Sequence, residues 1–378
     1  MTSEFDLLCA LTAAELTSKQ IDKIRNWNLN HCNWEEFLRL AERHGVIPLV
    51  SRNLVAHGHG IPAEVEKKLR SAYESNLARS LWFTAELLRI MQRFDGEELR
   101  AVPFKGPALA QSLYGDVGLR SSSDLDFLIS PVDFDRAKRL MAEIGYIPSG
   151  EIRPAVERLF LRVGYERSFD SGVGKNLVEL QWAVQPYFYG VDLNVGDLLA
   201  RAEPTMLGGH EIPSLATDDL LVVLCLHAAK HLWTRLIWLS DIAETLRTRN
   251  VDYPMLLSRA RALGIVRVLG VSFWLVKKVL RGEIPKPAEQ IIEDDYQAGL
   301  LGRHYYERIA RGADYNFEST EYFRLILKLR ERRADRSRYL WRLFWTPGTG
   351  DISAVSLPDG LFSLYHIVRM GRLMRKLI

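Results

Sequence analysis

The amino-acid sequence predicts an α+β protein in which a small mixed sheet is flanked by an N-terminal and a larger C-terminal helical unit. Three observations carry this. Apolar residues recur at helical spacing through the first 96 residues and again from about residue 216 to the end. Between about 97 and 190, short apolar runs alternate with turns and one short helical pattern. One of those runs opens with Asp124-Leu125-Asp126 and continues Phe127-Leu128-Ile129, as a strand does when it leaves a core at its edge. The expected units are 1–96 helical, 97–215 α/β, and 216–378 helical.

In chain order, Trp34, Phe37, Leu38 and Ala41 predict a helix stopped at His44-Gly45. Ala63 to Phe94 reads as a long helix with one break, ending at Asp95-Gly96. Leu99 to Phe104 is a short strand. Pro107 to Tyr114 is a short helix opened by Gly106-Pro107, since proline suits the first turn. Asp124 to Ser130 is a strand, and Asp133 to Ile144 a helix with Gly145 as its stop. Tyr165–Phe169 and Leu177–Val184 are strands joined by the turn at 170–174. From Ala216 onward the pattern is helical, broken at Pro285–Pro287 and at Thr346–Gly350.

At 378 residues the chain exceeds one ordinary core. With 47% hydrophobic and 26% charged residues it has the composition of a soluble globular protein. The net charge of +3 neither demands nor excludes a nucleic-acid partner, although from Glu321 to Ile378 there are 12 Lys/Arg against 5 Asp/Glu. Cys9, Cys32 and Cys225 are widely spaced and form neither a zinc pattern nor a disulfide framework, which points to a reducing cytoplasm. The N-terminus lacks a secretory pattern, and no apolar run approaches the ~20 residues that span a bilayer.

On a strand, Asp124 and Asp126 point the same way and Leu125 points into the core. Hard oxygen ligands side by side suit a divalent cation such as Mg²⁺; a lone D-x-D also suits a solvated strand end. A third acid stands in Asn176-Leu-Val-Glu-Leu-Gln-Trp182, where Glu179 and Gln181 share one strand face. If that strand lies beside the first, three carboxylates converge and can hold two ions that clamp an in-line phosphoryl displacement.

Lys105-Gly106, Tyr114-Gly115-Asp116, Leu119-Arg120 and Ser123-Asp124-Leu125-Asp126 together resemble the signature of the uncharacterised nucleotidyltransferase family in the DNA polymerase β-type superfamily. Glu179-Leu-Gln-Trp182, His227-Ala-Ala-Lys-His231, Trp238-Leu-Ser-Asp241 and the tail from Leu357 through Tyr365 to Arg369 extend the likeness over most of the chain. The resemblance implies a nucleotidyltransferase-like sheet in which Asp124, Asp126 and Glu179 are catalytic and bind metal. It implies two Mg²⁺ ions, with Mn²⁺ as an alternative, and a nucleoside triphosphate, ATP in first place. Lys105, Gly106, Arg120 and Ser123 would bind the nucleotide, the Gly106 helix start offering backbone N–H groups to phosphate. Two departures stand out. Lys105-Gly106 replaces the superfamily's Gly-Ser, and Gln181 stands where relatives carry histidine.

His227, His231, Trp238 and Asp241 form a polar stripe on an otherwise apolar helical pattern and are candidates for an acceptor cleft together with Gln181. Hydrogen-bonded core histidines with an interhelix ion pair explain the same stripe, and a zinc site is not favoured. On one helix His231 and Asp241 lie ~15 Å apart. Gly172-Val-Gly-Lys175 fails as a phosphate-binding loop, since Phe169 stands where its first glycine belongs and a strand follows. No Gly-x-Gly-x-x-Gly is present, so no dinucleotide cofactor is expected. The basic, aromatic-bearing stretch Arg324 to Arg342 suits an RNA contact, but a helix packing Leu325, Leu329 and Leu340 under a solvated arginine face is the favoured reading. Met370 to Ile378 offers only weak grounds for a membrane-surface contact.

The expectation is metal-dependent transfer of a nucleoside monophosphate to a small-molecule, peptide or protein hydroxyl, with release of pyrophosphate. The alternative from another class is a non-catalytic, antitoxin-like regulatory module that binds a nucleotide or a partner.

Overall fold

A computed structural model describes residues 3–377 apart from 28, 151, 173, 281–283, 313–314, 317–318, 349–350, 352–353, 356, 359–360 and 362–363. Parts of the expected 170–174 turn, the Thr346–Gly350 break and the 357–365 tail therefore lie outside the described residues, as does Ile378. The fold is α+β, 65% helical, with one small mixed sheet.

The chain opens with α1 (Ser3–Leu11), α2 (Ser18–Arg25), α3 (Trp34–Arg43), α4 (Ile47–His57) and α5 (Ala63–Asp95). The Asn33 side chain caps α3 by accepting from the Glu36 N–H at 3.1 Å. The helix ends before Gly45, whose φ of +70° suits glycine. The long helix α5 runs 33 residues without the expected break. Its C-terminal half buries Phe83, Leu87, Ile90, Met91 and Phe94, each buried side chain of this size contributing roughly 1.5–3 kcal/mol.

The central unit runs β1 (Ala101–Pro103), α6 (Gly106–Tyr114), β2 (Leu125–Ile129), α7 (Phe134–Glu143), β3 (Ile147–Pro148), α8 (Pro154–Val163), β4 (Glu166–Ser171) and β5 (Gly174–Gln181). After α9 (Val195–Ala200) comes a separate hairpin, β6 (Glu203–Leu207) with β7 (His210–Ser214). The spacing foretells neither β3 and α8 nor this hairpin: β3 has only two residues, and β6 and β7 leave most side chains outside the core.

The sheet has the order β1-β2-β5-β4-β3, with β2 parallel to β5 and the other pairs antiparallel. Leu125, Phe127, Ile129, Val178 and Leu180 pack with the C-terminal half of α5 and with α7 in one core cluster. The opposite sheet face carries Asp126, Glu179 and Gln181 and turns toward the C-terminal helices.

Those helices are α10 (Thr217–Lys230), α11 (Leu236–Thr248), α12 (Tyr253–Leu263), α13 (Val266–Val279), α14 (Lys286–Glu293), α15 (Tyr296–Ala310), α16 (Thr320–Leu329), α17 (Arg333–Trp345) and a terminal helix Tyr365–Leu377. Their buried residues, among them Leu221, Trp233, Phe273 and Tyr305, join Phe5, Phe37 and Leu49 from the N-terminal helices in a second cluster. No described helix is long and apolar enough to cross a membrane.

In the basic stretch, Leu325 and Leu329 are buried as expected, but Leu340 is exposed beside Trp341. The reason is a break at Arg330–Arg332 that ends one helix and restarts the apolar phase in another. Several of its arginines serve internal pairs, Arg342 with Asp192 at 2.6 Å and Arg332 with Asp335 at 2.5 Å.

Candidate active site

The geometry begins with strand register. Asp126 on β2 is the direct cross-strand partner of Glu179 on β5, and Ser168 and Glu166 on β4 stand opposite Glu179 and Gln181. Because side chains alternate, the polar members of these strands share a face while Leu125, Phe127, Val178 and Leu180 fill the core behind them. Asp124 lies just before β2, and Ser123 Oγ donates to its Oδ1 at 3.2 Å.

Asp126 is nearly inaccessible and receives two donors on one oxygen. Lys105 Nζ lies 2.9 Å from its Oδ1, and Gln181 Nε2 lies 2.7 Å from the same atom. The Gln181 amide also reaches Glu179 Oε2 at 3.1 Å, so it ties the two carboxylates together from beneath. Gln181 is thus buried behind the acids and is not on the cleft wall.

Crowded carboxylates with little water repel one another. Burial first, then the Asp126 charge, pushes Asp124 up to about 6. Burial, then Glu166, Asp126 and Asp124, pushes Glu179 up to about 9. Glu166 is an acid the sequence signals do not single out; only the β4–β5 register brings it beside Glu179.

Lys105 and Gly106 lie where β1 passes into α6, whose N-terminus opens on the cleft. Gly106 takes φ +63°, a conformation in which a side chain would be strained. Arg120 borders the cleft, but its guanidinium is committed elsewhere. Nε and Nη2 lie 2.9–3.2 Å from the Asp241 carboxylate, and Tyr114 Oη donates to Asp241 Oδ1 at 2.8 Å. Asp241 is fully buried in this pair and does not line the cleft.

His227 and Asp241 do not lie on one helix. The chain turns back between α10 and α11 through Leu232 and Trp233, which both take positive φ, +50° and +52°. Such backbone in bulky residues costs on the order of 1–3 kcal/mol each and persists only where packing enforces it; both side chains are fully buried. The turn brings Trp238 onto the histidines, with ring centroids 5.3 Å from His227 and 4.9 Å from His231. Burial, with Lys105 and Lys230 nearby, keeps both imidazoles well below the usual histidine range, so they are neutral at pH 7.

A cleft of about 610 Å³ joins these parts. One wall holds Asp124, Asp126, Glu179 and Glu166. The other holds His227, Lys230, His231, Arg235 and Trp238, and residues of α4 and α5 such as Pro48, Asn76 and Arg79 close the end. Among the described residues, no three His, Cys, Asp or Glu side chains form a ready metal cage; Lys105 and Gln181 already occupy Asp126.

No curated protein and no solved structure matches the chain. A family model described as an uncharacterised nucleotidyltransferase matches residues 30–281, two thirds of the sequence, including both strands of the carboxylate site and the α10–α11 turn. The chain therefore belongs to the uncharacterised nucleotidyltransferase family.

Proposed function

We propose that the protein transfers a nucleoside monophosphate from a nucleoside triphosphate to an acceptor hydroxyl in this cleft, releasing pyrophosphate. The observation that carries the reading is the β2–β5 register, which sets Asp126 beside Glu179, with Asp124 two residues away, opposite a cationic and aromatic wall. Carboxylates forced together until two of them hold protons far above their usual range suit a hard divalent cation. Asp124, Asp126 and Glu179 would hold Mg²⁺, or Mn²⁺, as one or two ions. When bound, the cation neutralises charge on the attacking and leaving oxygens.

The chain's own groups supply the rest. The acceptor oxygen bonds to the α-phosphorus, the bond to the bridging oxygen breaks, and pyrophosphate leaves with the electron pair. Glu179, once deprotonated, would take the acceptor's proton. His227, His231 and Trp238 offer a neutral flat wall to a planar part of nucleotide or acceptor. ATP is the first donor to test, and a small molecule, a peptide and a protein are the acceptor classes. A reducing cytoplasm suits the three free cysteines.

Asp124→Asn and Asp126→Asn test the reading by incorporation of an α-labelled triphosphate, with circular dichroism as the folding control. Each is expected to lower transfer by at least about 10²-fold; retained turnover in either folded variant refutes the assignment.

One observation favours a second reading, a binding module without turnover: Lys105 occupies the Asp126 oxygen that an ion would take. Calorimetric binding of triphosphates with Mg²⁺, but no pyrophosphate release with any acceptor, would favour it.

A further inference from the structure

Two cations that border the carboxylate site are bound to acids of the protein itself. Lys105 is paired with Asp126, and Arg120 with Asp241. Lys230 differs. It closes α10, lines the cleft, and is only 8% exposed. Its Nζ donates to the Tyr165 hydroxyl at 3.3 Å and sits 4.3 Å from the Tyr165 ring centroid. Among the described residues no carboxylate oxygen lies within 4.0 Å of it.

A buried ammonium without a counter-ion costs several kcal/mol. A neutral hydroxyl and an aromatic face recover only part of that. Burial accordingly lowers the Lys230 pKa, while Glu166 and Glu179 act on it only from a distance. The backbone nevertheless fixes its position. The Lys230 carbonyl accepts from the Tyr322 hydroxyl at 2.7 Å, and the strained Leu232–Trp233 turn follows directly. A rigidly held, buried cation facing a cleft is a site for an anion. Arg235 and Arg79 border the same space from its exposed sides.

We propose that Lys230 is the anchoring cation for the phosphate chain of the nucleoside triphosphate, and that Tyr165 holds its ammonium in position. Lys105 and Arg120 remain with their carboxylates during this first encounter. The proposal rests on the nucleotidyl-transfer reading and names the phosphate subsite of the same cleft.

The test is calorimetric titration of the full chain with tripolyphosphate and with ATP, each with Mg²⁺. The proteins are wild type, Lys230→Met and Lys230→Arg, with thermal melts as the folding control. Lys230→Met is expected to weaken both ligands by at least about tenfold. Lys230→Arg should stay within a few-fold of wild type, because it keeps the charge. Mn²⁺ binding to the protein alone should be the same in all three. If Lys230→Met does not fold, Lys230→Gln, which keeps a polar end, gives the same reading. A folded variant without the charge that binds tripolyphosphate as wild type does overturns the Lys230 assignment and leaves nucleotidyl transfer standing. Wild type that binds neither tripolyphosphate nor ATP overturns both.

Discussion

Lys105 and Asp126 form an ion pair of 2.9 Å in which the side chains are 11% and 3% exposed, at the centre of the carboxylate cluster. The ammonium therefore balances the Asp126 charge from within the protein. Burial opposes the charge on Lys105, but Asp126, Asp124 and Glu179 outweigh it and raise its pKa.

Lys105→Met should therefore destabilise the protein, by about 3–5 kcal/mol, the usual cost of removing one partner of a buried pair. Urea unfolding measures it. Millimolar Mg²⁺ should restore part of the loss in the variant and change wild type less; no Mg²⁺ effect in the variant would show that the freed carboxylates do not take the ion.

The pH dependence has a defined sign. Glu179 is raised from 4.5 to about 9, so its neutral form is favoured by the fold. A raised pKa means stability fully present below the unfolded value and lost as pH rises through the folded one. Without metal, stability should fall from about pH 4.5 to about 9, at no more than about 1.4 kcal/mol per pH unit for this one group. Asp124, raised from 3.8 to about 6, adds a smaller loss of the same sign between those two values. Glu179→Gln should flatten the upper slope relative to wild type in urea titrations across pH; an unchanged slope would assign it to another group.

Arg120 and Asp241 tie α11 to the α/β unit. Asp241→Asn should cost about 3–5 kcal/mol by leaving the guanidinium buried and unpaired. The double variant Arg120→Met/Asp241→Leu should recover much of this, because it removes both charges. Chemical denaturation of Arg120→Met, Asp241→Leu and the double variant closes the cycle; additive losses would mean the pair does not couple.

Gly106→Ala isolates backbone conformation. A methyl there would meet Asp124 O and Leu125 Cδ2 at 3.5 Å, ordinary contacts, so the cost comes from φ +63° and should be about 1–2 kcal/mol. Gly115→Ala, at φ +71° in open space, should cost the same by thermal unfolding but leave triphosphate binding intact. Gly106→Ala should weaken that binding, since the start of α6 opens on the cleft.

Local pattern determined a large part of this protein. Alternation placed Asp126 and Glu179 on polar faces and Leu125, Val178 and Leu180 in the core, and helical spacing located α3, α5 and α6. These are properties of residues a few positions apart, which periodicity reads directly. Tertiary structure alone decided who meets whom. The β2–β5 pairing made neighbours of Asp126 and Glu179, which are far apart in sequence, and the β4–β5 pairing added Glu166. A pair of left-handed residues with no sequence signature, Leu232 and Trp233, folded Trp238 onto His227 and His231. Long-range pairing likewise joined Arg120 to Asp241 and left Lys230 facing the cleft with no acid partner among the described residues, because the partner of a buried charge is set by packing across the fold and not by its neighbours in the chain.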